Sequence, residues 1–265
     1  MDLTQAIILA LIQGVTEFLP VSSSAHLILL PLLTDWPDQG IAFDVALNTA
    51  TLLAVVIYLR VDIARIIRGF WLLLAYRRWQ GNRDGRLAVM VIAGTVPVGL
   101  AGLLAHDIVA NHLRTIEVIA WSSIIWGSIL WIADRRPGRQ GVSDIRWFTV
   151  IIVGLAQAVA LIPGTSRSGV TITAGLFMGL SRVGAASFSF LLAVVVGILA
   201  GGMEGVDLIE GGAHTHWLAV AVGFVVAFIT AYGAIHFFLK LISRSSMTPF
   251  VVYRVLLGVA LLLMT

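Results

Sequence analysis

No cysteine occurs in the 265 residues, lysine occurs once, at Lys240, and charged residues make up only 12% of the chain. The first absence excludes disulfide frameworks, thiolate metal centres and cysteine nucleophiles. The scarcity of charge removes the solvated shell of a water-soluble domain, which takes about 25% charged residues. What fills the gap is apolar: 59% of residues are hydrophobic, and mean hydropathy is +0.98. The expectation is an all-α, polytopic integral membrane protein, a single membrane domain over 1–265. A basic leader ahead of the apolar run from Leu3 is missing too, as is a small-residue cleavage pattern, so no cleavable signal is expected. The pI of about 9.8 is an arginine effect. Those arginines lie in loops between apolar runs, where they signal topology rather than nucleic-acid binding.

Apolar stretches that cross, or nearly cross, a bilayer are expected at about 44–60, 87–105, 116–133, 185–203, 216–239 and 250–265. The polar loops between them alternate in sign. Loop 60–86 carries Arg60, Arg65, Arg68, Arg77, Arg78, Arg83 and Arg86; loop 134–146 carries Arg135, Arg136, Arg139 and Arg146; loop 240–249 carries Lys240 and Arg244. By contrast 203–216 carries Glu204, Asp207 and Glu210, and 34–43 carries Asp35 and Asp38. The positive-inside rule puts the first three loops in the cytoplasm and the last two outside. Arg146 and Arg182 then share the cytoplasmic side, so the apolar segment between them must enter the membrane and return.

That segment is broken at its middle by "IPGTSRSG" (162–169), and the N-terminal segment 3–33 is broken likewise by "LPVSSS". Non-helical backbone at membrane depth survives only inside protein or against a wet cavity. "QGVTEFLPVSSS" (13–24) and "QAVALIPGTSRS" (157–168) share glutamine, valine, proline and a hydroxyl cluster in order, and "LLAVV" recurs at 52–56 and 191–195. Three spans separate the two breaks, and an odd number inverts the second copy. The predicted architecture is therefore two inverted-topology repeats, about 1–113 and 146–265, each with a broken re-entrant helical hairpin.

Two charges are read as lying in the membrane interior, Glu17 and Arg167, one at each break; the others are assigned to loops or span ends. Gln13 and Glu17 are four apart and share a helix face. Ser22, Ser23 and Ser24 follow Pro20, with His26 three residues after Ser23. Any of these serines could simply cap a helix. Ser23, beside a carboxylate and an imidazole, has the surroundings of an activated nucleophile, with His26 or Glu17 as acid or base. On the second arm, Thr165, Ser166, Ser168 and Arg167 open a returning helix, an arrangement that suits phosphate or another oxyanion. The spacing and missing lysine rule out a Walker A loop. Gly175/Gly179 and Gly197/Gly201 permit close helix contact, within the chain or in a homodimer. His106, His112, His214 and His216 fall in external loops, and His236 is read as interfacial.

"QGVTEFLPVSSSAHL" and "PGTSRSGVT", with "FSFLLAV" at 188–194 and "PF..YR" at 249–254, closely resemble the undecaprenyl-diphosphate phosphatase family of the bacitracin-resistance type. The resemblance spans nearly the whole chain. It implies hydrolysis of undecaprenyl diphosphate to the monophosphate carrier of cell-wall synthesis, in the bacterial inner membrane. Glu17, Ser23, His26 and Arg167 then form the catalytic set, with Gln13, Ser22, Ser24, Thr165, Ser166, Ser168 and Thr171 binding substrate. Ala25 departs from the glycine common in the family. The family's activity is helped by Mg2+ or Ca2+, yet Gln13 leaves one carboxylate in the motif, so diphosphate oxygens would supply most ligands. The entry side of the first hairpin points to a site facing the periplasm. A polyprenyl-phosphate or anion transporter on the same architecture is the rival reading, and a non-catalytic lipid-binding scaffold a third.

Overall fold

The computed structural model describes residues 2–264 apart from 35, 37–39, 78, 80 and 212–215, and omits the side chains of 32, 33, 105–111 and 203–211. Asp35, Asp38, Arg78 and His214 lie outside the described residues, as do the side chains of Glu204, Asp207, Glu210 and His106. Eleven α-helices are described: α1 Leu3–Thr16, α2 Ser23–Thr34, α3 Ile41–Tyr58, α4 Arg60–Tyr76, α5 Arg83–His112, α6 Ile116–Asp134, α7 Trp147–Val159, α8 Arg167–Phe177, α9 Arg182–Gly211, α10 Trp217–Ile242 and α11 Thr248–Leu262. Five of them, α3, α5, α6, α9 and α10, are long and apolar enough to cross a membrane.

Both broken segments are pairs of short helices. Arms α1 and α2 contain 14 and 12 residues, α7 and α8 contain 13 and 11. At 1.5 Å per residue each arm reaches only about 16–21 Å, short of a hydrocarbon core of about 30 Å. The arms of each pair pack on each other. For the second pair, both outer ends meet at one face: Gln140 bridges Leu180, and Ser181 N–H donates to the Gln140 carbonyl at 2.9 Å. The first pair opens elsewhere. Ala6 and Leu9 near the start of α1 share an apolar cluster with Leu27 and Leu30 of α2 and with Phe43 and Ala219, which lie in the first turns of α3 and α10.

Three sequence expectations need correction. The stretch 60–86 is not a loop throughout, because α4 occupies Arg60–Tyr76. Its Ile63, Ile66, Phe70 and Leu73 recur at helical spacing and turn inward, Leu73 buried and the others half-buried, while Arg60, Arg65 and Arg68 stay exposed. The acidic stretch 203–216 is helical up to Gly211, as the end of α9. The last span is α11, 15 residues and about 22 Å, too short to cross alone.

Small residues set the helix rotations. A Cβ on Gly14 would come within 2.8 Å of the Ala227 carbonyl, so α1 lies directly on α10; one on Gly154 would come within 2.8 Å of the Gly94 carbonyl, joining α7 to α5. Gly197 meets Leu52 and Gly175 meets Ala185, so these glycines are used inside one chain. Phe18, at the first break, is 1% exposed and packs edge-on against Phe190 at 5.2 Å. At the arginine-bearing end, buried Asp134 accepts from Arg182 Nε at 2.5 Å and from the Met247 N–H at 2.8 Å, tying α6, α9 and the α10–α11 junction together.

Candidate active site

Breaking a helix in an apolar interior frees backbone carbonyls and amides that water cannot reach. The two breaks solve this problem in the same way. Ser22 and Ser166 both adopt φ 72°, the left-handed region; among the described residues only Arg77 shares it without being glycine. Each serine stands one residue ahead of the returning helix and accepts a hydrogen bond from a first-turn amide, Ala25 at 3.4 Å or Gly169 at 3.1 Å. Each also pairs with the serine two residues on, Ser24 at 3.3 Å and Ser168 at 3.1 Å. The helices so started deliver Ser23 on one side and Arg167 on the other. Gly164, at φ +85°, has no room for a side chain, since a Cβ would come within 2.6 Å of the Ile119 carbonyl.

Glu17 is where the breaks converge. Its Oε1 accepts from Arg167 Nη2 at 2.9 Å. Its Oε2 accepts from Ser23 Oγ at 2.7 Å and from Gln13 Nε2 at 3.2 Å. The Gln13 amide also donates to Asn48 Oδ1 at 3.1 Å. Carboxylate and guanidinium remain about one-fifth exposed, 22% and 18%. They open onto a cavity of about 150 Å³ between α3 and α9, walled by Asn48, Thr51, Gly197 and Gly201. The cavity extends along both helices away from the arginine-bearing end.

The other expected residues divide. Ser168 donates to the Leu19 carbonyl at 2.8 Å and so pins α8 to the first break. Thr171, 1% exposed, is spent on Arg167 and Ser168 carbonyls and on Ser189 Oγ at 2.7 Å, away from the 150 Å³ cavity lining. Ser24 is exposed, Ser22 and Ser166 are buried. His26 is not bonded to Ser23 or Glu17. Its Nδ1 meets the Ser22 carbonyl at 2.7 Å, and its Nε2 meets the Tyr253 hydroxyl. With Nδ1–H donating, Nε2 accepts the tyrosine proton, so the neutral ring is fully engaged.

Arg254 was missed by the reading that placed interior charge only at Glu17 and Arg167. It is 1% exposed and donates to the carbonyls of Pro20 (3.1 Å), Gly164 (2.8 Å), Thr165 (2.8 Å), Ser123 (3.3 Å) and Ser122 (3.4 Å). Three of those acceptors belong to the breaks. A guanidinium has enough donors in a planar fork to satisfy them. The available signal was a lone arginine amid "FVVYRVLLGV" (250–259), which at membrane depth marks a site by default.

Among the described residues, no cluster of three or more His, Asp or Glu side chains is placed to hold a metal. Glu17 does have an oxygen-bearing neighbour: Gln13 Oε1 is buried without a hydrogen-bond partner, as are Thr165 Oγ1, Ser123 Oγ and Gln157 Oε1. An unpaired buried acceptor costs about 1–3 kcal/mol. A hard cation takes such oxygens, and Glu17 with Gln13 Oε1 are the donors this site offers one, although it is the Gln13 Nε2 that faces the carboxylate.

The chain matches the family model described as "Bacitracin resistance protein BacA" over residues 6–260. It is 52% identical over 262 residues to an undecaprenyl-diphosphatase of Teredinibacter turnerae, covering 98% of each chain. It is 51% identical to undecaprenyl-diphosphatase 2 of Stutzerimonas stutzeri, covering 100% of this chain and 98% of the relative. An undecaprenyl-diphosphatase of Nitrosococcus oceani is 49% identical, with 98% of each chain covered.

Proposed function

This chain belongs to the bacitracin resistance protein BacA family, and on that premise we propose that Ser23 is the nucleophile and Glu17 the proton acceptor in its hydrolysis of undecaprenyl diphosphate. The observation that carries the assignment is the 2.7 Å hydrogen bond from Ser23 Oγ to Glu17 Oε2, with Arg167 on the other carboxylate oxygen. Ser23 Oγ bonds to the terminal phosphorus while its proton passes to Glu17. The bond from that phosphorus to the bridging oxygen breaks, and undecaprenyl phosphate leaves. Water then cleaves the serine phosphate and releases inorganic phosphate. Arg167 turns from Glu17 to the phosphate oxygens and neutralises the charge that spreads over them in the transition state.

His26 acts as a positioning residue in this scheme. It holds the Ser22 carbonyl, one residue ahead of the nucleophile, through a ring fixed by Tyr253. Arg254 positions both breaks. A divalent cation, Mg2+ or Ca2+, would lie against Glu17 and Gln13 Oε1 and supply further charge neutralisation to the diphosphate.

The site faces the periplasm of the bacterial inner membrane, a reading supported by a cavity that extends away from the arginine-rich loops. Two inverted repeats, about 1–113 and 146–265, account for the paired serines at φ 72° and for outer hairpin ends gathered in different places. They also account for α1 lying on α10 as α7 lies on α5. The isoprenoid tail stays in lipid, since only the head group needs the polar centre.

Phosphate release from purified protein in detergent, where transport has no meaning, tests the reaction. Ser23→Ala, Glu17→Gln and Arg167→Ala should each lose more than about 10³-fold in kcat, the scale of removing a nucleophile or its charge stabiliser. Acid quench of wild type should trap phosphate on Ser23. An active Ser23→Ala with no trapped phosphate would transfer the attack to water activated by Glu17.

A further inference from the structure

We propose that the arginine-bearing end of the bundle holds a second anion site, a cavity of about 530 Å³ that binds a phosphate group. It is distinct from the catalytic cavity and independent of the roles assigned there. Four arginines from three parts of the chain line it: Arg65 on α4, Arg83 and Arg86 on α5, and Arg146 at the start of α7. Three aspartates share the lining, and two of them are already engaged. Asp62 pairs with Arg65, and Asp144 accepts the Gly141 N–H at 3.1 Å. Arg83, Arg86 and Arg146 have no ion-pair partner among the described residues.

The surroundings favour a phosphate over a protein carboxylate. Guanidinium groups converging from separate elements suit an anion with oxygens on several sides. Helix α7 begins at this rim with no side chain capping its N-terminus, which adds amide donors and a favourable dipole. Ser143 and Ser187 add hydroxyls. The floor is apolar, made by buried Leu59, Met90, Ile145 and Leu191. That combination accepts either a lipid phosphate, with its chain along the floor, or free phosphate at the rim alone.

The floor also separates the two cavities. Leu59 and Leu191 face this one, while Val55 and Ala193 line the catalytic one. From Val55 on α3 to Leu59, the residue that ends it, is four residues or about 6 Å. The two anion sites thus lie at successive levels along α9, with a thin apolar septum between them.

The test uses full-length protein in detergent, with the unfolding midpoint followed against sodium phosphate, dioctanoyl phosphatidate and, as neutral control, dioctanoylglycerol. Wild type and Arg167→Ala should both show a saturable rise, because ligand bound only to the folded state stabilises it. R86Q/R146Q should weaken the apparent affinity by at least about tenfold, the scale of one charge-assisted hydrogen bond, while retaining phosphate release. Ser187→Phe, which fills the cavity from α9 and removes no charge, should abolish the response and serves as the second variant. A rise with phosphatidate alone identifies a lipid phosphate; equal affinity for inorganic phosphate identifies the phosphate group itself. A response lost in Arg167→Ala but kept in R86Q/R146Q, an equal response to dioctanoylglycerol, or none to either anion, overturns the proposal.

Discussion

Ser22 and Ser166 share one backbone angle, φ 72°, at equivalent places in two broken segments. One precedes Ser23, the other Arg167, and the two side chains they introduce meet on the carboxylate of Glu17. A non-glycine residue in the left-handed region costs roughly 1–2 kcal/mol. The strain is offset locally by the helix-starting hydrogen bond each serine accepts and the serine pair each completes.

That balance predicts an order of variants at position 166. Ser166→Gly loses the cap but tolerates the backbone; Ser166→Ala loses the cap and keeps the strain. Ser166→Ala should be the less stable of the two by about 1 kcal/mol. Thermal unfolding in detergent reads it. The reverse order would mean that this backbone conformation is not retained.

Removing Arg254 should be severe although it bonds only backbone. Arg254→Met strands the carbonyls of Pro20, Gly164 and Thr165, at about 1–3 kcal/mol for each left unsatisfied. Arg254→Lys rescues little, because one compact ammonium cannot reach carbonyls spread over both breaks. Unfolding midpoints and phosphate release should fall together. A stable Arg254→Met with normal kcat would remove its positioning role.

If His26 works through its contacts, its partner should share its effect. His26→Ala and Tyr253→Phe should each lower kcat by about tenfold. The double variant should be no worse than His26→Ala alone, since two residues acting in one chain of contacts are not additive. A loss in His26→Ala equal to that of Ser23→Ala would place the imidazole in proton transfer itself.

A second carboxylate beside Glu17 should change the cation response. Gln13→Glu should shift activation by Mg2+ or Ca2+ to concentrations about tenfold lower, and Gln13→Leu should shift it upward. Titrating phosphate release against metal in a chelator-buffered assay gives the answer. Identical midpoints in the three proteins would exclude position 13 as a ligand.

The buried ion pair at the arginine-bearing end predicts a stability effect without a chemical one. Asp134→Asn leaves Arg182 without its charge partner and weakens the bond from the Met247 amide. The cost should be about 3 kcal/mol, the lower end for breaking a buried pair, because Arg182 is 24% exposed. The unfolding midpoint should fall while kcat of the folded fraction is kept. An unchanged midpoint would show that backbone contacts alone hold this junction.

Composition alone determined that this chain is a membrane protein, because 12% charge cannot solvate its surface. Local rules did nearly as well. Pro20 and Pro163-Gly164, each followed by a cluster of hydroxyl residues, mark the two breaks, whereas Pro31 and Pro97 stand inside α2 and α5 without ending them. The four-residue spacing of Gln13 and Glu17 puts them on one face in any helix. Loop arginines marked the end at which Gln140 meets Leu180. Helix α4 was legible in principle from the spacing of Ile63, Ile66, Phe70 and Leu73, but its arginines lowered the hydropathy and hid it. The meeting of Glu17 and Arg167 across 150 positions was expected from the two breaks and the family resemblance. Other pairings across the chain were not legible: His26 meets Tyr253 rather than Ser23, and Arg254 reaches both breaks. Helical period fixes which residues share a face, but the direction of that face depends on how closely neighbouring helices approach. Here close backbone contacts at Gly14 and Gly154, and the Leu52 side chain against Gly197, set that rotation, and only the folded bundle contains them.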